Sequence, residues 1–169
     1  MLRISGRETL GFFDYLDKYY DGDDYFREFF ERNKNNRIVG KAATILNGYS
    51  YGQLLGNILV YTEVDFLDRM QVLTYRYVYL KDYNTEVGYE KYCCSSPARN
   101  ICDYFMYQKE LNAAMNIMDA IEGYDDDFNG DFTEVYEMMD FFKIDRKLLE
   151  EKIPLIGIGG NMYQVDIYC

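Results

Sequence analysis

Nine carboxylates and no basic side chain occupy the stretch from Asp119 to Asp140. They are Asp119, Glu122, Asp125, Asp126, Asp127, Asp131, Glu134, Glu137 and Asp140. Acids at this density suit three kinds of chemistry. They can ligate a hard cation, work as an acid–base pair, or meet Lys and Arg on another molecule. The chain contains no histidine. Ser-His-Asp and Cys-His catalysis are therefore excluded, as are His-containing zinc and iron sites. Acid–base work would fall to carboxylates, Lys, Tyr or Cys with shifted pKa values. The four cysteines, Cys93, Cys94, Cys102 and Cys169, form no CxxC pair, which argues against a four-cysteine zinc site. Adjacent cysteines rarely bridge each other, because the bridge strains the backbone, so reduced thiols are expected.

The first arrangement worth weighing is Asp125 to Tyr136, DDDFNGDFTEVY. A calcium loop offers oxygens at alternate positions around a glycine turn. Asp125, Asp127 and Asn129 fall at loop positions one, three and five, with Gly130 at six. Over these twelve residues the segment resembles an EF-hand loop, which would make those three residues calcium ligands. It departs at position twelve, where the bidentate Glu is replaced by Tyr136 and Glu137 comes one place late. A solvated turn in which Asp131 or Asn129 caps the next helix explains the same residues without metal.

The second arrangement is a helix over 131–142. At about 100° per residue, Val135, Met138, Met139 and Phe142 gather on one side. Asp131, Glu134, Glu137 and Asp140 spread over the opposite half, about 4.5 Å apart along the axis. That rise is of the same order as the roughly 3.4 Å between phosphates along one DNA strand. Such a row could occupy a basic nucleic-acid channel. Phe141 lies among the acids, where an aromatic anchor would help. The expected partner-binding set is Asp119, Glu122, Asp126, Asp131, Glu134, Glu137, Asp140 and Phe141. Amphipathic helices ordinarily turn charge to water, so the helix alone proves little. What favours a partner is the unbroken run of 22 positions without a base.

These residues need elements to position them. The spacing of Leu10, Phe13, Leu16 and Tyr20 predicts a helix over 7–20, and 23–33 predicts a second. A third is expected over 37–46, stopped by Asn47-Gly48. Ser50-Tyr51-Gly52-Gln53 reads as a capping box, followed by Leu54, Leu55, Ile58 and Leu59 on one helix face. Residues 62–80 are ambiguous, but alternation in 72–80 favours a strand, returning through 86–94 as a hairpin. Ser96-Pro97 starts a helix expected to reach about Gly123, with Ile101, Tyr104, Phe105, Leu111, Ala114, Met115, Met118 and Ile121 as its apolar stripe. A short helix over 145–152 and a closing hairpin over 155–168 complete the reading.

The whole is expected to be α+β, a helix-dominated single domain over 1–169 with one or two hairpins, at about 72–94 and 155–168. Its 169 residues suit one domain, and an apolar content of 49% argues against disorder. No apolar run is long enough for a membrane span, and Met1 to Glu8 lacks a signal-peptide core. A cytoplasmic protein is therefore expected. The net charge is -11, and residues 111–169 carry thirteen acids against four bases. That imbalance repels DNA and anionic membrane and attracts basic surfaces. The 19 tyrosines mostly complete a core, with Tyr19, Tyr20 and Tyr25 the expected exposed group.

In composition the chain resembles small acidic inhibitors of restriction and CRISPR effectors, carried by phages and mobile elements. No motif carries that likeness. It implies a viral or mobile-element protein in the host cytoplasm. The partner implied is a basic, nucleic-acid-binding enzyme or complex occluded by charge mimicry. Neither nucleic acid itself nor a membrane is an expected partner, and no cofactor is expected unless the 125–136 loop takes calcium. Two alternatives remain from other classes. One is a calcium-binding module. The other is an enzyme using carboxylates or Cys, for which nothing in the sequence locates a site.

Overall fold

The computed structural model describes residues 2–4, 7–9, 36–50, 58–61, 75–78, 80–89 and 93–158. Strands β1 (Leu2–Ile4) and β2 (Arg7–Thr9) pair antiparallel, with Arg3 opposite Glu8. A second sheet joins β3 (Arg37–Val39), β4 (Ile58–Tyr61) and β5 (Tyr75–Val78) in that order. β3 runs antiparallel to β4, and β5 runs parallel to β4. The register places Ile38 opposite Val60, and both side chains are fully buried. On the other edge of β3, Cys94 bridges to Ile38 and the Ser95 amide donates to the Ile38 carbonyl at 3.0 Å.

Five helices follow among the described residues: α1 (Gly40–Leu46), α2 (Pro97–Met106), α3 (Ala113–Phe128), α4 (Thr133–Phe141) and α5 (Lys147–Glu150). A 3-10 turn, Ile153–Leu155, comes after α5. The expectation of a helix-dominated α+β fold is met. No described helix is long and apolar enough to cross a membrane.

Helix α2 lies at the centre, buried from Pro97 to Phe105 and packed against α1, α3 and α4. Its start follows from the sequence. Pro97 occupies the first turn, where its missing N–H costs nothing, and the Ser96 hydroxyl accepts from the Arg99 amide at 3.1 Å. Helix α4 buries Val135 and Met139 and half-buries Met138 and Phe142, the side expected from periodicity. Tyr61, Tyr83, Tyr104 and Tyr124 are core residues. Cys93 and Cys102 are free thiols, and Cys94 is buried with its Sγ 3.6 Å from the Ser95 carbonyl oxygen.

Several expected boundaries move. Arg7–Thr9 and Arg37–Val39 are strands, where helices were expected, and the helix expected from Arg37 starts at Gly40. Ile58 and Leu59 also lie in a strand, where the face of a helix was expected, and residues 51–57 lie outside the described residues. Here strand pairing overrides local helical spacing. The hairpin expected at 72–94 is absent among the described residues, because β5 pairs parallel with β4 and 93–95 borders β3.

The single helix expected from Pro97 to Gly123 is two, broken after Tyr107. Leu111 turns into the core and Asn112 adopts a left-handed φ of 53°. The break rotates the buried face, which becomes Ala113, Ile117, Ala120, Ile121 and Tyr124, while Ala114 is exposed. Helix α3 then runs past Gly123 to Phe128, because Gly123 is a packing contact and no terminator. A Cβ there would lie 2.2 Å from Cγ of Tyr49. Leu155 belongs to the 3-10 turn, and Ile156 to Ile158 continue in turns, so the first arm of the expected closing hairpin is no strand. The rest of the helix expected over 7–20, the helix expected over 23–33, the Tyr19–Tyr20–Tyr25 group, Cys169 and residues 159–168 lie outside the described residues.

Candidate functional site

The acidic stretch forms the second half of α3, a turn, and α4. Three aromatic rings fix the junction. Tyr124, almost fully buried, stacks on Phe128 at 4.3 Å and on Phe132 at 5.3 Å between centroids. Its hydroxyl donates to Oε2 of Glu134 at 3.5 Å. Burial and the carboxylates of Glu134 and Asp131 raise the Tyr124 pKa. The phenol therefore stays neutral and remains a donor. Asn129 closes α3 as a left-handed C-cap, with a φ of 52°. Asp131 Oδ1 accepts from the Thr133 amide at 3.0 Å, and bonding from the Thr133 side chain first, and from this amide second, holds its carboxyl below the ordinary range. Asp131 thus bonds the first amide of α4, whose N-cap is Phe132, and Asn129 caps α3 instead of α4.

The acids do not form one row. Asp119, Glu122 and Asp126 share a face of α3 by helical spacing, with Asp119 and Glu122 half-buried and Asp126 exposed. Glu122 Oε1 accepts from the Gly157 amide at 3.3 Å, which ties the segment after α5 to α3. On α4, Glu134, Glu137 and Phe141 follow at successive turns on one exposed face. Phe141 is 57% exposed, a large area for an aromatic ring in water. Asp140 is turned away from Glu134 by about 120°. It forms a bidentate pair with Arg146, whose Nε donates to Oδ1 at 2.9 Å and whose Nη2 donates to Oδ2. The Arg146 guanidinium also lies 5.1 Å over the Tyr136 ring. Asp131, placed before α4 begins at Thr133, is not on the ridge expected for it.

The calcium arrangement is not assembled. Helix α3 continues through Asp125 and Asp127, so these side chains leave the axis about 200° apart. Asn129 is a helix cap. A loop that wraps oxygens around one cation needs non-helical backbone there, and helix propagation from the buried Ile121 and Tyr124 wins. Among the described residues, no three Cys, Asp or Glu side chains stand together in a metal-holding group.

A polar cluster that sequence reasoning missed lies beneath α2. Arg99 and Asp103, one turn apart, have no exposed side-chain surface and are joined by an Nε–Oδ1 bond of 2.7 Å. Asp103 Oδ2 also accepts from the Tyr83 hydroxyl at 3.1 Å and the Ser95 hydroxyl at 3.2 Å. Arg99 Nη1 donates to the Val87 carbonyl at 2.7 Å, while Nη2 has no partner. Its guanidinium packs over the rings of Tyr83, Tyr89 and Phe142, at 4.6, 5.1 and 4.5 Å. Burial raises the pKa of Tyr83 and Tyr89 and pushes that of Cys102 to about 12. The Cys102 thiol is thus a poor nucleophile near neutrality. A spacing of four between Arg and Asp was the available signal, but solvent-facing pairs share it.

The two regions differ in what they can do. The Arg99 cluster is closed to any substrate and knots α2, the 83–89 loop and the end of α4 together. The α4 face is open and holds charge and an aromatic ring at fixed spacing. Neither a protein-family model, a curated protein nor a solved structure matches the chain.

Proposed function

We propose that this protein is a non-enzymatic binding protein that occludes a basic, nucleic-acid-handling partner by presenting acids where phosphates would lie. The observation that carries the reading is the exposed α4 face. Glu134 and Glu137 stand there within a 22-residue stretch that contains no base, and Phe141, the next residue after that stretch, is in register with them. Carboxylates on a rigid helix keep their spacing when free, so little order is lost on binding. The exposed ring of Phe141 supplies apolar contact, which charge alone lacks. The fixed negative field speeds encounter and makes affinity fall with salt.

Anti-restriction and anti-CRISPR activity is the form of this function that composition suggests. The test is DNA binding by a panel of restriction enzymes and RNA-guided nucleases, with and without the protein, at about 50 and 200 mM salt. A wild-type chain that displaces DNA from a panel member, more strongly at low salt, is the expected result. Glu134→Lys with Glu137→Lys should abolish displacement. Equal displacement by this doubly reversed chain overturns the proposal.

A further inference from the structure

We propose that the Glu137–Phe141 step of α4 takes an arginine side chain of a protein partner, in preference to lysine. The inference rests on the binding reading above and gives it a partner chemistry.

Helix α4 carries two acid–aromatic pairs, each one turn apart: Tyr136 with Asp140, and Glu137 with Phe141. At this spacing a carboxylate and a ring are neighbours, about 5–6 Å apart at their Cβ atoms. The first pair is already filled. Asp140 grips both the Nε and Nη2 edges of Arg146, and the Tyr136 ring lies 5.1 Å from the centre of the same guanidinium. The ligand that this combination accepts is therefore visible within the chain. It is a planar cation that stacks on a ring while its in-plane donors reach a carboxylate.

The second pair repeats those components and lies open. Glu137 and Phe141 are exposed, and no described basic side chain pairs with Glu137. Phe142 meets the Phe141 ring at 88° and 5.0 Å, which leaves Phe141 more than half exposed. Lysine suits such a site less well. Its ammonium is compact and strongly hydrated, and it cannot stack and bond in one plane. Glu134, one turn before Glu137 on the same face, adds charge that attracts either cation.

Nona-arginine and nona-lysine peptides carry equal charge and separate the two terms. Binding of each to the full chain is measured by calorimetry at about 20 mM salt. Wild type should bind nona-arginine about two- to fivefold more tightly, the range an exposed cation–ring contact supports. Phe141→Leu keeps an apolar side chain at an exposed position and should bring the two affinities together. Arg146→Ala frees the first pair and should tighten nona-arginine binding in particular. Equal affinities for the wild-type chain, or a preference that survives Phe141→Leu, overturn the arginine site and leave the acidic docking surface standing. Failure of both peptides to bind overturns the docking surface as well.

Discussion

At the scale of single residues, the fold depends most on a charge pair that never meets water. Arg99 and Asp103 neutralise each other, and Tyr83, Ser95 and the Val87 carbonyl supply further bonds. Removing one partner strands the other in a low-dielectric interior. Asp103→Ala should therefore cost about 3–5 kcal/mol, read from the urea midpoint and slope. Replacing both, Arg99→Met with Asp103→Leu, should cost less than Asp103→Ala alone, because no bare charge remains. A larger loss in the double variant would show that the pair acts through its bonds to the 83–89 loop. Gly88 serves the same cluster. Its φ of +80° and the 2.7 Å approach of Arg99 Cβ to any added Cβ leave room for no side chain. Surface acids behave differently. The Thr133 side chain and amide beside Asp131, and the Arg146 pair of Asp140, hold both carboxyls below the ordinary value of 3.8. Their contribution is complete above that value and is lost as pH falls through the lowered ones. The stability difference between wild type and Asp131→Ala should thus shrink steadily below pH 3.8, followed by urea titration. Little of this was legible in the sequence. The turn before α4 with Asp131 bonded to its first amide was, because such a bond is local. The Arg99 cluster was not, since its members come from 83–103 and 142 and converge only in three dimensions.

Among the elements, the legible ones were those set by local rules. Ser96-Pro97 marked a helix start, and the stripe of Val135, Met138, Met139 and Phe142 marked the buried side of α4. The misread ones were set by distant partners. Strand β3 reads as helix because Ile38 and Val39 fit either period, and pairing with Val60 and Leu59 decides it. Gly123 looked like a stop because glycine weakens helices, yet it is where Tyr49 packs on α3. Its effect can be separated from propensity. In an exposed helix interior, Gly→Ala stabilises by roughly 1 kcal/mol. Here the new methyl would lie 2.2–2.6 Å from three Tyr49 atoms. Gly123→Ala should lower the melting temperature, and Tyr49→Ala added to it should cost much less than it does in the wild-type chain. Additive costs in the thermal melts would show that Tyr49 and Gly123 do not share a contact.

Across the whole molecule, the unequal distribution of charge ties stability to function with opposite signs. The chain carries a net -11, and nine of its acids fall between Asp119 and Asp140. Asp126, Asp131, Glu134, Glu137 and Asp140 are exposed and the other four half-buried, with few described cations nearby, so they repel one another in the folded state. Raising salt from about 10 to 150 mM shortens the screening length from roughly 30 to 8 Å. The repulsion weakens and the fold gains, while the same screening weakens attraction to a basic partner. The melting temperature of the wild-type chain should therefore rise over this range. Glu134→Lys with Glu137→Lys brings the net charge to -7 and breaks the run of acids on α4. That variant should start from a higher melting temperature at low salt and respond less to added salt. Both glutamates are exposed, so the substitutions leave the buried side of α4 intact. A variant that melts lower than wild type at low salt would mean that Glu134 matters more as the acceptor for the Tyr124 hydroxyl than as a source of repulsion. Tyr124→Phe then distinguishes the two, because it removes that bond and leaves the charge in place.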